Sequence, residues 1–220
     1  MTFKTLLLGA AAFGAMVAAP AQAAQGDVLI RLRGIMVAPN EKSGSVLPAF
    51  PGEKVAIDNA VAPEIDFTYF ATNNIAFELI AATTKHSASG VTGTTKTVGK
   101  LASTWVLPPT LTAQYHFMPD AKVRPYVGAG VNYTLFYSED ASKGLETAVG
   151  KTKVNMKSSF GWAAQAGVDI DLNEKIFLNI DVKYIDIDTT ARLATTAAGV
   201  QKVKVDLDPL VFGIGLGMRF

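Results

Sequence analysis

Beyond residue 24, apolar and polar side chains alternate with a period of two over long stretches, the pattern of strands that set one face against an apolar medium. In segment 175–192, Ile176, Leu178, Ile180, Val182 and Tyr184 share one face, while Asn179, Asp181 and Lys183 share the other. In segment 153–172, Phe160, Trp162, Ala164, Ala166, Val168 and Ile170 oppose Gln165 and Asp169. In segment 74–84, Ile75, Phe77 and Leu79 oppose Glu78. The last segment, 201–220, sets Phe212, Ile214, Leu216, Met218 and Phe220 against Gly213, Gly215, Gly217 and Arg219. Segments 27–38, 61–71, 101–117 and 122–137 complete a set of eight predicted strands. A slip of one residue would turn each charge to the wrong face, so the register is strongly specified.

The connections alternate in length. Thr72-Asn73, Met118 to Ala121 and Asn173-Glu174 are tight and polar. Segments 39–60, 85–100, 138–152 and 193–200 are longer and rich in Gly, Ser, Thr, Lys and Pro. A soluble sandwich also alternates. Here, however, large apolar and aromatic residues fill the outward set on nearly every strand, and several strands exceed the usual length of about 3–10 residues. The pattern predicts an all-β fold: an eight-stranded antiparallel transmembrane β-barrel with short periplasmic turns and longer extracellular loops. An even strand count puts both ends of the barrel on the periplasmic side.

Composition supports this reading. Mean hydropathy is +0.25, yet residues 24–220 contain no stretch resembling a transmembrane helix; a barrel reconciles the two by spreading its lipid-facing residues over alternate positions. Lys4, the apolar run from Leu6 to Ala19 and the small-residue site Ala21-Gln22-Ala23 predict a signal peptide over 1–23, cut after Ala23, with the barrel over 24–220. The run is short for the roughly 20 residues of a membrane anchor. Without Lys4, the 20 basic residues fall to 19, matching the 19 acidic ones. That balance lacks the basic signature of a nucleic-acid binder, and the absence of cysteine fits an oxidising periplasm.

The inward face carries the candidate chemistry. By parity it collects Arg31, Arg33, Glu64, Asp66, Glu78, Arg124, Asp169, Asp181, Lys183 and Arg219. The interior of an eight-stranded barrel is just wide enough for side chains to fill, and buried charges must be paired. Two readings stand: a structural plug of salt bridges, or a polar constriction below a ligand chamber. Above it, Ile80, Ala82, Val106, Pro108, Val205 and Leu207 are candidate apolar wall residues, with Leu47 and Phe50 from the first outer loop folding over the mouth; ordinary packing of loop roots is the alternative. Pro108 and Pro109 interrupt a strand by removing ladder donors, leaving a lateral gap or a kink above the bilayer. Trp105, Tyr115, Tyr133, Tyr137 and Tyr184 fall outward, as interfacial anchors do. With only His86 and His116 and no nucleophile at a telling spacing, the sequence suggests no enzyme, no metal centre and no cofactor.

The order of several motifs resembles the outer membrane protein W (OmpW) family. They are Ala71-Thr72-Asn73-Asn74-Ile75-Ala76 with Glu78-Leu79, Leu107-Pro108-Pro109-Thr110 through Gln114-Tyr115, and Arg124-Pro125-Tyr126-Val127-Gly128-Ala129-Gly130-Val131-Asn132-Tyr133. Gly167-Val168-Asp169, Tyr184 through Ala191, Asp208-Pro209 and Gly217-Met218-Arg219-Phe220 follow. The resemblance implies a largely hydrophobic channel closed below by inward side chains, taking up small hydrophobic molecules and releasing them sideways into the membrane. It also implies that Phe160, outward by parity, narrows the channel. The chain departs from the family pattern after Ala82-Thr83, where Thr84-Lys85-His86 replaces a proline and an aromatic. The terminal Phe220, behind Ile214, Leu216 and Met218, resembles the signal read by the outer-membrane assembly machinery. The expected partners are outer-membrane lipid, that machinery and small hydrophobic solutes. The expected function is a passive channel for such solutes, with a structural or interaction barrel of sealed lumen as the alternative.

Overall fold

The computed structural model describes residues 24–220; the expected signal peptide lies outside the described residues. The elements in chain order are β1 (Val28–Ala38), β2 (Lys42–Ser43), β3 (Val55–Ile57), β4 (Ala60–Phe70), β5 (Ile75–Ala82), β6 (Thr84–Gly90), α1 (Gly93–Val98), β7 (Lys100–Leu107) and β8 (Thr110–His116). They continue with β9 (Val123–Ala141), α2 (Lys143–Val149), β10 (Thr152–Met156), β11 (Ser159–Asp171), β12 (Ile176–Ile185), β13 (Asp188–Thr195), β14 (Gly199–Asp206) and β15 (Leu210–Arg219).

Eight of these strands close into an antiparallel barrel in the order β1-β4-β5-β8-β9-β11-β12-β15, with β15 returning to β1. Closure leaves the membrane-spanning part without an edge strand, as a spanning sheet requires. Val28 and Phe220 exchange backbone hydrogen bonds of 3.1 and 2.9 Å at the seam. Glycine makes that seam possible. A Cβ on Gly215 would lie 2.1 Å from the Leu32 carbonyl oxygen, and one on Gly217 would lie 2.1 Å from the Phe177 ring. The glycine face of β15 thus leaves the lumen to the long side chains of β1 and β12.

Four expected strands are each broken in two. The breaks fall at Pro108-Pro109, Lys157-Ser158, Asp186-Ile187 and Leu207 to Pro209. Proline withholds an N–H at two of them, and Asp208 adopts a φ of 37° at the last. Above the breaks the chain re-aims into a two-part crown. One part is β3-β6-β7 joined to the top of β9; the other is a separate sheet, β10-β13-β14-β2. The expected loops 39–60 and 85–100 therefore contain β2, β3, most of β6 and α1, and 138–152 contains the end of β9 and α2.

The outward residues of β15 (Leu210, Phe212, Ile214, Leu216 and Met218) are all substantially exposed, as are those of β4, β5 and β9. From Leu210 to Phe220, a rise of about 3.3 Å per residue at a tilt near 40° gives a band about 25 Å tall, the height of an outer-membrane apolar belt. Tyr69, Tyr115, Phe117 and Phe220 mark its lower rim, and Tyr133, Trp162 and Tyr184 its upper rim, with Trp162 packed 5.0 Å from Tyr184.

Candidate functional lumen

The lower lumen is built by cross-strand register. Arg31 lies opposite Asp66 and Arg33 opposite Glu64 on the β1–β4 ladder, Thr68 opposite Glu78 on β4–β5, and Asp169 opposite Asn179 on β11–β12. Side chains directly opposite on one face are in reach of one another, so the ladder itself assembles the network. Arg31 donates to Asp66 and Glu78 at 3.0 Å each, to Asp169 at 3.1 Å and to Thr68 at 2.6 Å. Arg33 reaches Glu64 at 2.6 Å, Asp66 at 2.9 Å and Asp181 at 3.0 Å. Lys183 joins Glu64 and Asp181, each at 2.9 Å. Tyr126 and Phe177 flank the Arg31 guanidinium, 5.6 and 5.5 Å from their ring centroids.

Parity sent ten charges inward, and the structure divides them into two tiers. Eight form the central network. Arg124 and Arg219 sit nearer the periplasmic end, where Arg124 pairs with Asp171, and Arg219 lies 3.7 Å from Asp171 and 3.8 Å from Asp27. Asp171 escaped the sequence reading although it shares the parity of Asp169; its role needed the register that brings β11 beside β9. Gln165 and Asn179 fell on the inward parity, but their partners, Tyr126 among them, emerge only in three dimensions: Gln165 donates to Glu78 at 2.7 Å, and Asn179 donates to Asp169 at 2.8 Å and to the Tyr126 hydroxyl at 3.0 Å.

Directly above this floor lies an apolar cavity. Ile80, Ala82, Val106, Pro108 and Leu207 line it, joined by Ile35, Phe136, Ile185 and Val211, with Glu64 below and Thr84, His86 and Thr104 at its edge. About 70 Å³ is open to the centre of a water-sized sphere. That is room for roughly five waters by the usual minimum per molecule, so the chamber is narrow.

Four candidate residues do not line this cavity, although Phe50 packs above it, over the mouth as expected. Val205 is buried in a second apolar cluster with Val46, Val55, Leu101 and Val203, which roofs the crown, and Phe50 packs against that cluster. The break at Leu207 to Pro209 lifts β14 away from the cavity wall. Leu47 is half-exposed on the outside of the crown, pairing its backbone with Lys202. Phe160 is 72% exposed and faces the lipid side. The β9–β11 ladder runs without a bulge from Ser159 to Ile170, so nothing turns Phe160 inward and the role implied by the family resemblance does not transfer to it.

The cavity wall has a break in its ladder. Between β5 and β8 the last pair is Ile80 with Thr110, and between β6 and β7 the first is Thr84 with Val106. Ala81 to Thr83 thus face Leu107 to Pro109, where two prolines supply no donor. The Thr83 hydroxyl spans part of the gap, reaching the Val106 carbonyl at 3.3 Å and the Tyr137 hydroxyl at 2.6 Å. On the other flank the wall is stitched shut, because Tyr133 N–H and the Asn132 amide both donate to the Pro109 carbonyl. Outside the lumen, Asp186, Asp188 and Asp208 bring carboxylate oxygens within 4.8 Å of one another. Partial desolvation and the charges of Asp206 and Asp186 push the Asp188 carboxyl above its ordinary range.

A closed barrel with an exposed apolar belt, tight turns at one end and a built crown at the other defines an outer-membrane β-barrel. Within that class, the chain belongs to the OmpW family: the model described as "OmpW family" matches residues 24–220. Outer membrane protein W of Escherichia coli is 39% identical over 196 residues, covering 89% of each chain. Outer membrane protein AlkL of Ectopseudomonas oleovorans is 27% identical over 220 residues, covering 97% of this chain and 92% of AlkL. The crystal structure of OprG from Pseudomonas aeruginosa superposes with a TM-score of 0.85 at 33% identity, covering 90% of this chain and 98% of OprG.

Proposed function

We propose that this barrel passes small hydrophobic molecules passively from the cell exterior into the outer membrane, with release through the side of the barrel. The observation that carries the reading is the placement of an apolar cavity between an ion-paired floor and an interrupted ladder. Opening the floor means breaking buried ion pairs, each at about 3–5 kcal/mol. Parting Ala81 to Thr83 from Leu107 to Pro109 breaks no backbone ladder bond. An apolar solute gains about 25 cal/mol per Å² on leaving water, so transfer into lipid needs no energy source. The candidate lining residues are Ile80, Ala82, Val106, Pro108 and Leu207. The reading needs no catalytic step: His86 is held between the Asp58 carbonyl and Thr84, and His116 bonds Gln114.

Uptake of a small hydrophobic fluorescent probe by proteoliposomes tests the proposal. Wild-type protein should raise uptake above protein-free liposomes, and Ala82→Phe, which fills the cavity, should return it towards that baseline. The apolar roof of the crown favours a second reading, a sealed structural or interaction barrel; it predicts no uptake above the protein-free control.

A further inference from the structure

The outer face of the sheet β10-β13-β14-β2 changes chemistry where the lipid-facing band ends. Outward residues on β15 are apolar up to Leu210; along the same path β14 continues with Asp206, Lys204 and Lys202. On β12 the apolar set ends at Tyr184, and β13 continues with Asp188, Thr190 and Arg192. Lys153 borders this face from β10, Lys157 from just beyond the end of β10, and Lys42 from β2. All six cations are exposed, and among the described residues none makes an ion pair within 4.0 Å.

The register sharpens the patch. Arg192 lies directly opposite Lys202, and Lys204 opposite Thr190. Like charges opposed across a ladder are destabilising, and a bound anion would relieve them. The carboxylates gather one tier lower: Asp188 and Asp206 oppose each other, with Lys42 opposite Asp206, and Asp186 and Asp208 lie beside Asp188 at the base of the face. A groove runs over the upper tier, with Ser45, Leu47 and Pro48 on one side and Arg192, Lys202 and Lys204 on the other. Lys204 and Lys202 stand six and eight residues beyond Leu210. A straight strand at the tilt of the barrel would raise them about 15–20 Å above the apolar band; with the bend at Leu207 to Pro209 they still lie in the crown, beyond the acyl chains and among the phosphates and sugars of the outer leaflet's glycolipid.

We propose that this face docks the phosphorylated core sugars of lipopolysaccharide. The cations match several phosphates in a row, Arg192 offers a planar fork to one of them, and Leu47 and Pro48 give a sugar ring an apolar seat. The inference is independent of transport, since it concerns the outer wall of the crown.

The test uses the folded barrel in detergent micelles and measures binding of lipopolysaccharide with a phosphorylated core, of the same material after phosphatase treatment, and of inorganic phosphate. The phosphorylated form should bind best. Arg192→Gln with Lys202→Gln and Lys204→Gln should weaken that binding about 100-fold at low salt, at the usual contribution of each cation near an anionic membrane surface. Lys54→Gln with Lys96→Gln and Lys100→Gln, on the opposite side of the crown, removes the same charge and should leave binding unchanged. The heat-dependent gel shift of folded barrels verifies both variants. Undiminished binding by the first variant, an equal loss in the second, or equal binding of the dephosphorylated glycolipid or of inorganic phosphate would each overturn the proposal.

Discussion

Replacing Arg31 by methionine keeps the bulk of the side chain and removes the cation at the centre of the lumen. Three carboxylates lose a partner at once: Asp66, Glu78 and Asp169, now 3.0 to 3.1 Å away. Each keeps at least one other, and Glu78 also keeps the Thr112 hydroxyl at 3.3 Å and Arg33 at 3.9 Å. Asp66 retains Arg33 at 2.9 Å, Glu78 retains Gln165 at 2.7 Å, and Asp169 retains Asn179 at 2.8 Å. The cost is therefore near that of breaking a single buried ion pair, about 3–5 kcal/mol, rather than three times that. Loss of the contacts with Tyr126 and Phe177 places it towards the upper end, at about 5 kcal/mol. Urea unfolding in lipid vesicles, followed through Trp105 and Trp162 fluorescence, measures it. Adding Asp169→Asn should recover part of the loss, because one orphaned charge is then gone. A loss below about 1 kcal/mol, the level of an exposed pair, would refute the account of the floor as a plug whose charges depend on one another.

Three further outcomes follow from the same structure. Gly215→Val should destabilise the barrel by about 1–3 kcal/mol or more, since its Cβ would meet the β1 backbone at Leu32 and Arg33 rather than a movable side chain; the vesicle unfolding assay reads it directly. Deleting Phe220 removes the last pair of hydrogen bonds of the β1–β15 seam, those with Val28, and an outward aromatic, so the yield of membrane-inserted barrel should fall more than the transport rate per assembled barrel. Asp188→Asn should raise the melting temperature of the detergent-solubilised protein at neutral pH. The Asp188 pKa is raised on folding, so the folded state holds its proton more tightly, and wild-type stability falls as pH rises from the ordinary value of 3.8 through the raised one. The advantage of the variant should accordingly vanish as pH drops below that window, and an advantage independent of pH would contradict the cause assigned here.

The lipid-facing barrel was legible because a period of two cannot be shifted without exposing charges to lipid: Asn179, Asp181 and Lys183 went inward by parity, and the structure buries all three. Parity also separated the inward charges from the outward apolar residues on β1 and β4. It did not reveal depth, so Arg124 and Arg219 were grouped with charges that lie higher in the lumen. The crown was less legible. β13 and β14 continue β12 and β15 without a change in alternation, while on β7, β9 and β10 the buried set shifts by one residue, so that Leu101, Ala141 and Val154 join the crown's core; in the sequence only Pro108 and Pro109 marked a break. The bends at Asp186-Ile187 and Leu207 to Pro209 depend on how the crown sheets pack, which is why Val205 looked like a continuation of the cavity wall but belongs to the roof. Phe160 was the case in which parity and family resemblance disagreed, and the unbulged ladder sides with parity.

The most direct test of the transport account restores the missing donors in the wall. Pro108→Ala with Pro109→Ala returns two N–H groups, that of residue 108 towards Ala82 across the gap and that of residue 109 towards Tyr133 on β9, and lets the ladder zip between its existing ends at Ile80–Thr110 and Thr84–Val106. The measurement is the rate at which a small hydrophobic probe enters proteoliposomes, compared at equal amounts of folded barrel. The account predicts uptake above protein-free liposomes for the wild type and a fall towards that baseline for the double variant. Equal uptake by the two proteins would contradict release through this wall.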